Sequence, residues 1–214
     1  MLGIEQLDVP LRVAAVVVPA AVYFLLLGLL NSQRSPQLLR GRTDFILLIA
    51  AFLPTFCVPV LDYLGTSFWA AAAVAVAVVG TALLLAPGRS GSWVIYNIGL
   101  PESLRAVERT LQAMGESFSR RGRRLLLTGR DVTLRFTSMP LLKNITIAAE
   151  GADVRSFQRD FEGHFGRQLG LVPSGPTPMA ATFLLLAAGM LVTPLALVAD
   201  RMPEMVRVIT DLVR

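Results

Sequence analysis

Val13 to Leu30 reads VAAVVVPAAVYFLLLGLL, an uninterrupted apolar run that carries no charge. As a helix, such a run is long enough to cross a hydrocarbon core of about 30 Å. A soluble helix of that length would keep a polar stripe toward water, and this one keeps none. Three further blocks repeat the pattern: Phe45 to Leu61, Phe68 to Ala86, and Met179 to Ala199. Arg12 opens the first block and Asn31, Gln33 and Arg34 close it, Asp44 and Asp62 bound the second, and Asp200-Arg201 stop the fourth. In lipid, only a helix satisfies its own backbone within a single segment. The expected fold class is therefore a membrane all-α bundle of four transmembrane helices with a small α+β domain inserted before the last.

Composition agrees. Hydrophobic residues make up 54% of the 214 and charged residues 16%, against about 25% charged in ordinary soluble domains. The charges concentrate between the third and fourth blocks. The expected organisation is three helices within 1–87, a basic domain with its linker over 88–178, the fourth helix over 179–199, and an amphipathic tail over 200–214. The N-terminus carries Glu5 and Asp8 where a signal peptide would be basic, and the first block is long for a signal core, so no cleaved leader is expected. Cys57 stands alone and can form no internal disulfide.

The arginines set the expected orientation. The net charge of +5 rests on 19 Arg and the single Lys143. Sixteen of these cations lie in the loop 31–43 or in the segment 88–178, and four lie elsewhere. Basic loops stay on the cytoplasmic side. The expectation is a bacterial-type inner-membrane protein with both termini outside and the central domain in the cytoplasm.

The insert reads as β-α-β-β-β-α, an antiparallel sheet with two helices. Ser92 to Ile98 is rich in strand formers, and Pro101 suits a helix's first turn. Leu104, Val107, Leu111, Met114 and Phe118 follow at helical spacing, which predicts one helix running to Gly122. Leu125 to Thr128 and Val132 to Thr137 flank Gly129-Arg130-Asp131 as a hairpin, and Asn144 to Ala149 supplies a third strand. Val154, Phe157, Phe161 and Phe165 line one face of a last helix near Asp153 to Leu169. The αβββα portion resembles the double-stranded RNA-binding fold in topology alone. That family opens its last helix with clustered lysines, where this chain has Asp153-Val154-Arg155, so nucleic acid is not expected as a partner.

Candidate functional residues are few. Arg120, Arg121, Arg123 and Arg124 could hold phosphate groups of anionic lipid or an acidic partner. They could equally complement the carbonyls of a helix C-terminus and guard the edge strand after it. Ala73, Ala77 and Thr81, with Gly80 adjacent, give a small-residue spacing that lets membrane helices approach closely. Pro54 and Pro59 are expected to kink the second block. His164 is the only histidine, and a general acid or base would need partners that the sequence does not supply. Asn144-Ile145-Thr146 matches a glycosylation sequon inside an expected cytoplasmic strand. Gly88-Arg89-Ser90-Gly91-Ser92 lacks the lysine of a phosphate-binding loop. No zinc, dinucleotide or nucleophile motif is present, no cofactor is expected, and no charge sits centrally in any apolar block.

The functional expectation is a non-catalytic subunit, scaffold or assembly factor of a membrane complex. Its expected partners are membrane lipids and other membrane subunits or copies of itself. The alternatives are a component of a transporter or channel and a lipid-headgroup-binding enzyme.

Overall fold

The computed structural model describes residues 9–64, 68–85, 91–140 and 143–199. The expected tail over 200–214, the turn 65–67 and the glycine-rich segment 88–90 lie outside these residues. Twelve elements follow in chain order: α1 (Val9–Ser32), β1 (Gln37–Arg40), α2 (Gly41–Leu64), α3 (Phe68–Leu85), β2 (Ser92–Tyr96), α4 (Leu100–Ala113), β3 (Phe118–Arg121), β4 (Arg124–Leu127), β5 (Thr133–Met139), β6 (Asn144–Glu150), α5 (Val154–Gly170) and α6 (Pro178–Ala199). They fall into two units.

The helical unit takes α1 through Leu26, α2 from Leu47, all of α3, and α6 from Phe183. Among the described residues, three helices are long and apolar enough to cross a membrane, in α1, α2 and α6; in α3 a shorter apolar stretch, Ala72–Thr81, qualifies by composition but not by length. Small side chains let the backbones approach: Ala20, Ala21, Ala51 and Ala187 are buried. Phe24 lies edge-on to Phe52 at 6.3 Å and stacks on Phe183 at 6.0 Å. Large apolar side chains point outward, among them Trp69 at 78%, Leu185 at 73% and Val76 at 72% exposed. Apart from Met139 and Leu171, the exposed large hydrophobics of the described chain all lie on α1, α2, α3 and α6. Such a surface marks a membrane or protein contact.

The globular unit takes Leu27–Ile46 and Ala86–Thr182. Its six strands are ordered β1-β2-β6-β5-β4-β3, and every neighbouring pair is antiparallel. The alternation of each strand sends Trp93, Ile95, Leu125, Leu134, Phe136, Ile145 and Ile147 into one core with Leu104, Val107 and Leu111 of α4. Helix α5 completes it with Phe157, Phe161 and Phe165, stacked at 5.0 and 4.7 Å one helical turn apart. Trp93 leans on Phe161 at 5.0 Å.

Two strands depart from the expected β-α-β-β-β-α order. The sheet recruits Gln37–Arg40 from the loop between the first two helices, pairing Leu38 with Ile95 and Arg40 with Trp93. Four residues between Pro36 and Gly41 carry too little pattern to announce a strand. The second departure corrects a helix boundary. Helix α4 stops at Ala113, where the Met114 amide bonds back to Thr110 and Gly115 turns the chain at φ 74°. Phe118 then opens β3 and packs on the core from a strand. Its spacing from Met114 fits a helix by coincidence, because a core-facing strand residue just beyond a turn can satisfy the same periodicity.

The β1–β2 edge is where the chain passes to the long helices. Helix α1 ends five residues before β1, and α2 starts in the residue after it. Tyr96 donates to the Asp44 carboxylate at 2.5 Å, Asn97 donates to the Gln33 carbonyl at 2.7 Å, and the Ser174 amide reaches the Arg34 carbonyl at 3.1 Å. Among the described residues, the strand at the opposite edge, β3, pairs only with β4.

Candidate functional site: an arginine face on the free half of the sheet

The expected helix C-terminus at Arg120–Arg124 is absent, because these residues form the β3–β4 hairpin. Arg121 stands directly opposite Arg124, leaving Gly122 and Arg123 as a two-residue connection. Gly122 takes φ 61°, the sign that a tight hairpin asks of its first central residue and that L side chains resist. The dipole reading of this cluster therefore falls, while the guarding of an edge strand by charge remains.

Register then decides which arginines act together. Arg121 faces Arg124, and Arg124 faces Arg135 on β5. Residues directly opposite share a face, with Cβ atoms about 5 Å apart. Their neighbours Leu125 and Leu134 point the other way and are fully buried, so the three arginines stand on the side away from α4 and α5. All three are exposed, as is Arg123 at the turn. Arg120 alternates onto the helix side, where it donates to Glu108 of α4 at 3.3 Å. The expected set of four thus divides, and Arg135, which the sequence reading did not single out, joins it.

These side chains border an open groove of about 370 Å³ lined by Arg121, Arg123, Arg124, Arg135, Phe136 and Thr137. Among the described residues, Arg121, Arg123 and Arg124 form no ion pair, and Arg135 meets Glu150 only at 4.0 Å with both side chains more than half exposed. Such an exposed pair contributes little. Arg130, close in sequence, contrasts: Glu116 holds it at 2.8 Å and Asp160 at 3.4 Å. Like charges directly opposite on a sheet are destabilising, so the row is a stability cost that an anion would relieve.

A second polar cluster fastens the β1–β2 edge. Glu162 of α5 accepts from Arg40 Nε at 3.2 Å and Arg40 Nη2 at 2.7 Å, from Trp93 Nε1 at 3.1 Å and from Gln158 Nε2 at 2.8 Å. Gln158 in turn accepts the Gly91 amide at 3.0 Å. Burial alone would raise the Glu162 carboxyl. The hydrogen bonds from Arg40, Gln158 and Trp93, with the Arg40 charge, outweigh it and hold the group below the usual glutamate range. The same pairing raises the Arg40 guanidinium. The cluster ties α5 to β1, to β2 and to the residue before β2. Its donors are consumed internally, so it serves the fold.

The remaining candidates are scattered. Ala73, Ala77 and Thr81 are exposed on α3, and a side chain added at Gly80 would meet nothing within 4 Å. The small residues that do bring helices together are those on α1, α2 and α6. Pro54 and Pro59 lie inside α2, which runs as one helix through both. His164 Nδ1 sits 3.0 Å from the Asp160 carbonyl one turn earlier on α5. Asn144, the sequon residue, is 7% exposed at the start of β6. Among the described residues, no three His, Cys, Asp or Glu side chains gather to hold a metal. No family model, curated protein or solved structure matches this chain.

Proposed function

We propose that this chain is a non-catalytic membrane-anchored subunit or scaffold whose globular domain presents an arginine face to an anionic partner. The observation that carries the reading is the row Arg121–Arg124–Arg135, three exposed cations held side by side on one sheet face, of which only Arg135 meets a carboxylate among the described residues, at 4.0 Å. Catalysis would need a nucleophile or an acid–base pair in a cleft, and the groove is lined by arginines, a phenylalanine and a threonine.

The reading includes four spans. β1 and β2 are neighbours in one sheet, and only α2 and α3 separate them along the chain. If α2 leads away across the bilayer, α3 has to bring the chain back. Its 18 residues reach about 27 Å as a helix, close to the thickness required. Arg34, Arg40 and Arg42 in the short first loop, with the basic domain, favour the cytoplasmic face of a bacterial-type inner membrane for this side. Both termini then lie outside.

The test is co-purification of the full chain in a mild uncharged detergent, beside a variant carrying Arg121→Glu, Arg124→Glu and Arg135→Glu. A co-purifying component lost from the variant is the expected result. A lone wild-type chain, or identical partners for both, would overturn the proposal.

A further inference from the structure

The groove at the arginine row has features that a flat basic patch lacks. β4 begins at Arg124, opposite Arg135, while β5 runs on past that pair to Met139 alongside β6. The Phe136 amide donates to the Arg123 carbonyl at 2.9 Å, the last rung on that side. Thr137, exposed, shares the face of Arg135. The result is a notch lined by four arginines with Thr137 beside them.

We infer that this notch binds a phosphate-bearing anion, and specifically a group with two neighbouring phosphates or a doubly charged phosphomonoester. This deepens the scaffold reading of the same face and rests on it. Guanidinium forks match phosphate oxygens in bidentate pairs. Four cations around about 370 Å³ ask for dense negative charge, and a single carboxylate would leave three of them unmatched. The volume suits a small ligand or a single headgroup. Among the described residues no carboxylate lines the notch, and Arg135 meets Glu150 only at 4.0 Å. Elsewhere in the domain Arg40, Arg120 and Arg130 are each held by an acid. The ligand chemistry is shared by a soluble diphosphate and a phosphorylated lipid headgroup, and the experiment separates the two.

The full chain in uncharged detergent is titrated with inorganic pyrophosphate by calorimetry. The variant is Arg124→Gln with Arg135→Gln, and the control is Arg155→Gln with Arg159→Gln, which removes equal charge from exposed positions on α5. Saturable binding should weaken about tenfold or more in the variant, in line with loss of charge-assisted hydrogen bonds, and stay near wild type in the control. Without ligand the variant should melt at or above the wild-type temperature, because like-charge opposition has been relieved, and this also shows that it folds. Neutral-lipid vesicles containing phosphatidic acid form the second arm. If they displace pyrophosphate the source is a headgroup, and if they do not it is soluble. Absence of saturable binding, equal weakening in variant and control, or binding of polyglutamate in preference to pyrophosphate would overturn the inference. A partner still retained through the arginine row without phosphate binding sinks this inference alone. Phosphate binding by a chain that retains no partner sinks the scaffold reading alone.

Discussion

Glu162 shows how one carboxylate can hold several segments of a fold. It accepts from Arg40, Trp93 and Gln158, joining residues far apart in sequence, and its charge is what makes those bonds strong. Glu162→Gln keeps the shape and removes the charge. The expected cost is about 1–2 kcal/mol, read as a lower denaturation midpoint of the full chain in detergent. The sign of the pH dependence follows from the depressed folded-state value. The stabilisation is complete above the ordinary glutamate range and is lost as pH falls through the lower folded value. In the Gln variant that acid-side loss should shrink, and an unchanged acid profile would show that other carboxylates govern it. Nothing in the sequence marks Glu162, since its partners lie on β1, β2 and its own helix, and only pairing brings the first two within reach.

At the scale of elements, α5 was readable because one periodicity runs its full length. Val154, Phe157, Phe161, Phe165 and Leu169 are all buried. Phe161 sits at the centre, stacked between Phe157 and Phe165 and against Trp93. Phe161→Ala should destabilise the domain by about 3–5 kcal/mol, with Trp93 fluorescence shifting to the red as its ring loses cover. A Trp93 spectrum and melting temperature like wild type would contradict this packing. The α4–β3 boundary was illegible for the opposite reason. Met114 and Phe118 extend the helical spacing while Gly115 breaks the backbone between them, and hydrophobic period alone does not register a single turn. β1 escaped notice because its pairing energy comes from β2, more than fifty residues later.

At the scale of the molecule, the pairing of β1 with β2 turns a local strand contact into a statement about topology. In the proposed reading, α3 makes the return crossing, which gives four spans with both ends outside. Cysteine labelling checks this directly. In a Cys57→Ser background, Gly3→Cys should react with a membrane-impermeant maleimide on intact cells, and Thr128→Cys should react only after lysis. Reaction at position 128 on intact cells would invert the orientation, and protection of position 3 would break the parity.

By itself, the sequence determined the apolar helices, the basic insert, the four inner strands of its sheet and its last helix. Each of these is a matter of local composition or period, which physics reads within a window of ten or twenty residues. Tertiary structure alone decided that a strand from the first loop joins the sheet and that Arg120 parts from Arg121 and Arg124. It alone put Arg135 beside that pair. Those outcomes depend on register, and one residue of slip would turn every side chain to the other face, so they become definite only when distant strands meet.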